Sequence, residues 1–245
     1  MKERRTRPRL QYHLDHASNK GEHFALADDL AWLNRFDPDK KILRGKAYER
    51  AKRLLDIAIV VLAAPFWLPW LLIIAALMKL MEPRASVFFV QWRTGKGGRR
   101  FKMYKFRTMV PDAEELKIKL MHLNELQWPD FKITNDPRVT RLGHILRKTS
   151  LDELPQVFNV LLGDMSLVGP RPTSFSPRTY SMWHTERLDI VPGLTGLWQI
   201  TGRGSSSFDE RVRLDVAYME RRCLWLDIHI LARTVLAVFQ QKGAY

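Results

Sequence analysis

A single apolar run, "IAIVVLAAPFWLPWLLIIAALMKLM" from Ile57 to Met81, constrains this chain more than any other stretch, and Lys79 is its only charge. At about 1.5 Å of rise per residue, it is long enough to cross the roughly 30 Å hydrocarbon core of a bilayer as a helix. Pro65 and Pro69 stand in its middle. A proline removes a backbone donor and collides with the preceding turn, so a break is expected near the centre. Both flanks are basic: Lys52 and Arg53 precede the run and "RTGKGGRRFKMYKFR" follows it. Basic flanks stay on the cytoplasmic side of a membrane. A spanning helix would send one of them outward, whereas a re-entrant helix that turns back at Pro69 keeps both inside. Each arm of the re-entrant form would rise only about 18 Å, short of the far leaflet. Charge favours that form, and a proline-kinked spanning helix is the alternative.

The rest of the chain reads as α+β, mostly α. Residues 1–46 are a charged, loosely structured N-terminal extension, 47–83 the re-entrant membrane helix, and 84–245 a compact domain ending in amphipathic helices. "VFFVQWRTGKGGRRFKMYKFRTM" predicts a β-hairpin turning at Gly95, Gly97 and Gly98, with Lys105 and Arg107 projecting from one face of its second strand. Helices are expected over 112–122, within "ITNDPRVTRLGHILRKTS" and over 154–162, the last stopped by Gly163. "VPGLTGLWQITGRGSSS" reads as glycine-punctuated loop. "DERVRLDVAYMERR" is helical, with Val212, Val216 and Met219 as its apolar stripe. "CLWLDIHILARTVLAVFQQ", interrupted by Asp227, His229 and Arg233, suits a helix lying on a membrane surface or packed on the domain.

The formal net charge of +14 calls for an anionic partner: nucleic acid, acidic lipid headgroups or a phosphorylated substrate. Cys223 is the only cysteine, which excludes an internal disulfide and a cysteine-based zinc site. The first apolar run lies behind a long charged segment, so no secretory signal is expected.

In this basic setting "TSLDELPQVFNVLLGDMSLVGPRP" places Asp152 beside Glu153. Ser150 with Glu153 could form a capping box, although Pro155 sits badly in that frame. Asp152 could instead cap a helix whose third position is Pro155. A cap explains one acid but not two. The arginines and lysine around them, Lys105, Arg107, Arg138, Arg147, Arg171 and Arg203, stand in short Gly-, Pro- or Asp-bounded stretches suited to holding phosphate, and each alone could equally be a solvated surface charge. Carboxylates among cations suggest a divalent metal bridging acid and phosphate, or a carboxylate nucleophile that forms an acyl phosphate.

The order of "AKRLLDIAIVVL", "VFFVQWRTGKGGRRFKMYKFRTM", "NDPRVTRLGHILRKTSLDELPQVFNVLLGDMSLVGPRP", "VPGLTGLWQITGR" and "VRLDVAYMERRCLWLDIHILARTV" resembles the bacterial sugar transferases of the monotopic phosphoglycosyl transferase superfamily, from about residue 50 to the C-terminus. That resemblance implies transfer of a sugar 1-phosphate from a UDP-sugar to polyprenyl (undecaprenyl) phosphate, in polysaccharide biosynthesis at the cytoplasmic face of the bacterial inner membrane. It implies Asp152 as nucleophile, Glu153 as metal-binding or acid/base partner and Mg2+ as cofactor. Arg171 of "GPRP" and Arg203 of "TGR" would contact phosphate or nucleotide. It also implies a re-entrant helix broken at Pro69, to which this chain's Pro65 adds a second kink. The family often has serine before the break proline, where this chain has Leu68. The expected partners are therefore a UDP-sugar, undecaprenyl phosphate and phospholipid, without nucleic acid; a homo-oligomer is compatible. A catalytically silent membrane-bound scaffold for nucleotide sugars or other polyanions is the competing reading.

Overall fold

The computed structural model describes residues 30–37, 39, 41–125, 131, 133–174, 182–201 and 208–239. Helix predominates. Helices α1 (Gly45–Leu62) and α2 (Ala64–Met81) lead into strands β1 (Phe88–Thr94) and β2 (Arg100–Phe106). Then come α3 (Ala113–Lys119), α4 (Arg141–Lys148), α5 (Gln156–Leu162), β3 (Ser166–Val168), β4 (Gly193–Thr195), α6 (Leu197–Thr201), α7 (Phe208–Arg221) and α8 (Leu224–Phe239). The expected hairpin is present: β1 and β2 pair antiparallel, with Phe88 opposite Phe106 and Thr94 opposite Arg100.

The apolar run is divided beside Pro65, read in the sequence as the second kink, and not at Pro69. The interruption falls at Ala63, while Pro69 lies inside α2. Pro65 explains the position. It has no N–H to offer Val61, so the α1 ladder ends there, and the first turn of α2 tolerates it because N–H groups there have no intrahelical partner. The Trp67 indole N–H donates to the Val60 carbonyl across the break at 2.8 Å. One stripe of α2, Leu71, Ile74 and Met78, is buried against Phe106 and Leu146. Its other side, Phe66, Trp70, Leu72, Ile73, Leu77 and Leu80, is exposed. Among the described residues, α2 is the one helix long and apolar enough to cross a membrane.

The segment expected to be loop after Val191 contains a strand. β4 pairs in parallel with β3, Ser166 opposite Gly193 and Val168 opposite Thr195, and α6 follows directly. Glycine makes this possible through closeness of approach: a Cβ on Gly193 would lie 2.1 Å from the Gly169 nitrogen. Nothing in periodicity marks so short a strand. Gly163 ends α5 as predicted, in the left-handed region at φ 87°.

Helix α1 is tied to the domain through a polar stripe. Asp227 of α8, 1 % exposed, accepts from Tyr48 at 2.8 Å and Tyr218 at 2.6 Å, and Lys52 stands 3.2 Å away. One turn along α1, Asp56 accepts from the Ser166 hydroxyl at 2.7 Å and the Leu167 N–H at 3.3 Å. Arg53 donates to the carbonyls of Val160 and Leu161, which end α5.

Of the two alternatives for α8, packing on the domain is the one that occurs. Its polar interruptions do not face outward: Asp227 is buried, His229 stacks on Trp32 at 4.7 Å, and Arg233 lies over Trp32. Trp225, Ile228, Val235 and Leu236 are the exposed ones. The partners of His229 and Arg233 come from a 3-10 helix, Ala31–Arg35, whose Leu33 enters the core, so the extension is not loose throughout. α7 is buried on more than one stripe, Leu214 and Ala217 joining Val212 and Val216 inside.

Removing one partner from a buried ion pair strands the other charge, at a cost of about 3–5 kcal/mol. Asp227→Ala is therefore expected to lower the melting temperature of the detergent-solubilised protein by about 10 °C, with a smaller loss in Asp227→Asn. An unchanged melting temperature in both would refute the network's structural role.

Candidate active site

Helix α4 ends at Lys148, and Ser150, at φ 58°, reverses the chain. It is the only non-glycine residue with positive φ among the described residues. A 3-10 turn, Leu151–Glu153, follows, and α5 begins after Pro155. Residues three apart eclipse in such a turn. Leu151 and Leu154 accordingly both pack into the apolar cluster on α2, which leaves Asp152 and Glu153 on the polar side. Neither capping arrangement occurs: no side chain caps this turn or α5, and Ser150 is left-handed rather than extended.

Two cations converge on the acids. Lys105, near the end of β2, is 2.7 Å from Glu153 Oε1 and 3.7 Å from Asp152 Oδ2. Arg171 grips Glu153 with both terminal nitrogens, one of them 3.3 Å from Oε2. The fully buried Asn159 aligns α5 with β2. Its amide donates to the Lys102 carbonyl at 2.7 Å, and its oxygen accepts from the Tyr104 N–H at 3.0 Å, next to Lys105. Arg147 donates to the Thr108 hydroxyl at 3.0 Å, and its charge opposes the upward shift of the Asp152 carboxyl.

The two acids differ in ionisation. Burial pushes the Asp152 carboxyl above its usual range, opposed first by Lys105. Burial also acts against the Glu153 anion. There the Arg171 charge, followed by Lys105 and their hydrogen bonds, prevails and holds the carboxyl well below the carboxylate range. The cations favour the charged form of Glu153, whereas burial disfavours the charged form of its neighbour Asp152.

Lys105, Arg147 and Arg171 therefore lie at or beside the dyad, and two of the expected cations do not. Arg107 donates to Glu82 and the Ser86 carbonyl, each at 2.7 Å, which ties the end of α2 to the hairpin. Arg138 is buried in a two-pronged pair with Asp136 and reaches the Ala113 carbonyl, anchoring the α3–α4 connection. Proximity in sequence to an Asp and a Pro does not separate a structural guanidinium from a ligand-binding one. Arg203 lies outside the described residues. The sequence reading missed Asn159 and Arg187, the latter a buried arginine that donates to the Arg171 carbonyl at 2.8 Å. Asn159 sits inside the quoted dyad stretch, where nothing in its spacing marks it, and Arg187 lies outside every quoted motif.

Asp152 and Glu153 are adjacent carboxylates that offer hard oxygens, and among the described residues no group of three acidic, His or Cys side chains stands together. Mg2+ characteristically takes one or two carboxylates and completes its shell with phosphate oxygens and water.

The left-handed turn at Ser150 can be tested directly. A β-branched residue there should cost about 1–2 kcal/mol, and glycine should be neutral or stabilising. Thermal melting of Ser150→Val and Ser150→Gly is expected to order them in that sense; equal melting would contradict the strained geometry.

The family model described as bacterial sugar transferase matches residues 47–241. The chain is 42 % identical over 196 residues to "Galactosyl transferase CpsE" of Streptococcus agalactiae, covering 79 % of this chain and 43 % of that protein. It is 41 % identical over 203 residues to "Undecaprenyl-phosphate galactose phosphotransferase" of Salmonella typhimurium, covering 79 % and 41 %. It is 40 % identical over 200 residues to "Exopolysaccharide production protein ExoY" of Rhizobium meliloti, covering 80 % and 88 %. The chain thus spans about two-fifths of the first two relatives and most of the third. It belongs to the bacterial sugar transferase family.

Proposed function

We propose that this chain is a phosphoglycosyl transferase that moves a sugar 1-phosphate from a UDP-sugar to undecaprenyl phosphate through a covalent aspartyl intermediate. The observation that carries this reading is the position of Asp152: a buried carboxylate within 3.7 Å of an ammonium, beside a Glu153 pinned by two cations, on a turn that rests on an apolar helix. The names of relatives such as the Salmonella galactose phosphotransferase support the reaction class.

In the first half-reaction an Asp152 oxygen attacks the sugar-linked phosphorus. The bond to the bridging oxygen breaks, and UMP leaves with the electron pair. In the second, an oxygen of undecaprenyl phosphate attacks the same phosphorus, and the Asp152 carboxylate is restored as the acyl phosphate bond breaks. A carboxylate that burial leaves poorly solvated is a stronger nucleophile than one in water. Lys105 and Arg171 make the approach of anion to anion feasible and stabilise charge on the transferring group. Mg2+ held by Asp152 and Glu153 together with substrate phosphate would neutralise further charge there.

The exposed face of α2 suits acyl chains, and the exposed apolar residues of α8 suit the interface. A re-entrant insertion at the cytoplasmic face of the bacterial inner membrane keeps both basic flanks among anionic headgroups. The acceptor, itself a membrane lipid, then meets Asp152 without leaving the bilayer.

The first test is UMP release from UDP-galactose, UDP-glucose and UDP-N-acetylgalactosamine by solubilised protein with Mg2+ and undecaprenyl phosphate. One donor should turn over, and Asp152→Asn should cut its rate by about 1,000-fold or more. Retained release in the variant would sink the covalent mechanism, and silence of the folded protein across the panel would favour a binding subunit. The pH profile adds a second check. Because the nucleophile must be ionised, activity should fall as pH drops through a midpoint above the usual value of about 3.9. Lys105 lowers the Asp152 pKa, so Lys105→Gln should move that limb to higher pH.

A further inference from the structure

We infer that Arg187 and Asp215 are a positioning pair that sets Arg171, and through it the Glu153 carboxylate. This rests on the reading of Asp152 and Glu153 as the reacting dyad. Arg171 lies between Pro170 and Pro172, neither of which has an N–H to donate. The strip therefore hangs by its carbonyls. Pro170 accepts from the Gly193 N–H at 2.9 Å, Thr173 from the Thr94 N–H at 2.9 Å, and Arg171 itself from the Arg187 guanidinium at 2.8 Å. Two of these donors are backbone groups fixed by strands; the third is a side chain that must itself be fixed.

Asp215 does that. Its carboxylate, on α7 and 1 % exposed, is 2.6 Å from the same Arg187 nitrogen, and the Phe208 ring packs against the guanidinium. Arg187 is 4 % exposed. A buried Arg–carboxylate pair is poor value as a source of stability, since a well-packed apolar pair of similar size does as well or better. What an apolar pair cannot do is hold the Arg171 carbonyl. From that carbonyl the side chain runs to Glu153, so a shift of the strip moves the carboxylate that shares Lys105 with Asp152. Displacements of about 1 Å at a reacting centre can cost roughly 100-fold in rate.

The test is a cycle of Arg187→Gln and Arg171→Ala in the full chain, with UMP release from whichever of the three UDP-sugars turns over. Arg187→Gln is expected to lower kcat by about 30-fold in the wild-type background and by less than about twofold when Arg171 is already alanine. Asp215→Asn, which keeps shape and volume, should behave alike and serves if Arg187→Gln does not fold. Additive losses would overturn the inference, because a merely structural role acts whether or not Arg171 is present. Should wild type release no UMP from any donor, the transferase reading fails, and hydrogen exchange judges the pair alone. Arg187→Gln should then speed amide exchange at Leu151–Leu154 while leaving Ala113–Lys119 unchanged; uniform or absent change would refute it.

Discussion

A carboxylate taken out of water has to meet a cation or several donors, because an unpaired buried charge costs several kcal/mol. This protein buries Asp56, Asp215 and Asp227 almost completely, and each finds its partners on other elements. Asp227 of α8 joins α1 and α7, Asp56 of α1 reaches β3, and Asp215 of α7 meets Arg187. These pairings are non-local, so they prescribe which elements touch more strictly than apolar contact does. Apolar surfaces can slide by a fraction of a residue; a carboxylate between two hydroxyls and an ammonium cannot.

The same requirement shapes the site. The turn Leu151–Leu154 has its leucines on the outside of the tetrapeptide and its acids between them, and the 3-10 geometry sends the two classes in different directions. Below the turn, α2 supplies Leu71, Ile74 and Met78; above it, Lys105 and Arg171 supply charge. Helix α2 thus has two roles at once. One stripe is the floor of the acid pair, and the remainder is the apolar exterior that a bilayer would cover. Any tilt of α2 relative to the domain would be felt at Asp152 through Leu151 and Leu154.

Division of the apolar run at Ala63 adds to this coupling. α1 carries Tyr48, Lys52, Arg53 and Asp56 along one side, and all four engage the domain. Arg53 holds the C-terminal carbonyls of α5, the helix that starts just after the dyad, and Asn159 of α5 holds β2 beside Lys105. From α1 to Lys105 the path therefore runs through hydrogen bonds that join α1 to α5 and α5 to β2.

Much of this was readable in order of residues alone. Hairpin, apolar helix, dyad and helix stop at Gly163 each declare themselves by local chemistry: alternation around glycines, a long charge-free run, adjacent acids, a left-handed cap. Pro65 and Pro69 look alike in sequence, and only the structure shows that the helix is interrupted beside Pro65 and continues through Pro69. The polar residues of α8 left membrane surface and domain packing as alternatives, and only the fold reveals that Tyr48, Lys52 and Trp32 meet them inside. Arg107, Arg138 and Arg171 were likewise indistinguishable as letters. A guanidinium's role is set by the acid it meets across the chain, and those encounters, unlike periodicity or turn chemistry, exist only once distant segments have been brought together. By itself, then, the sequence determined which local elements form and which acids are available; tertiary structure decided which cations reach them, because charge pairing acts through space rather than along the backbone.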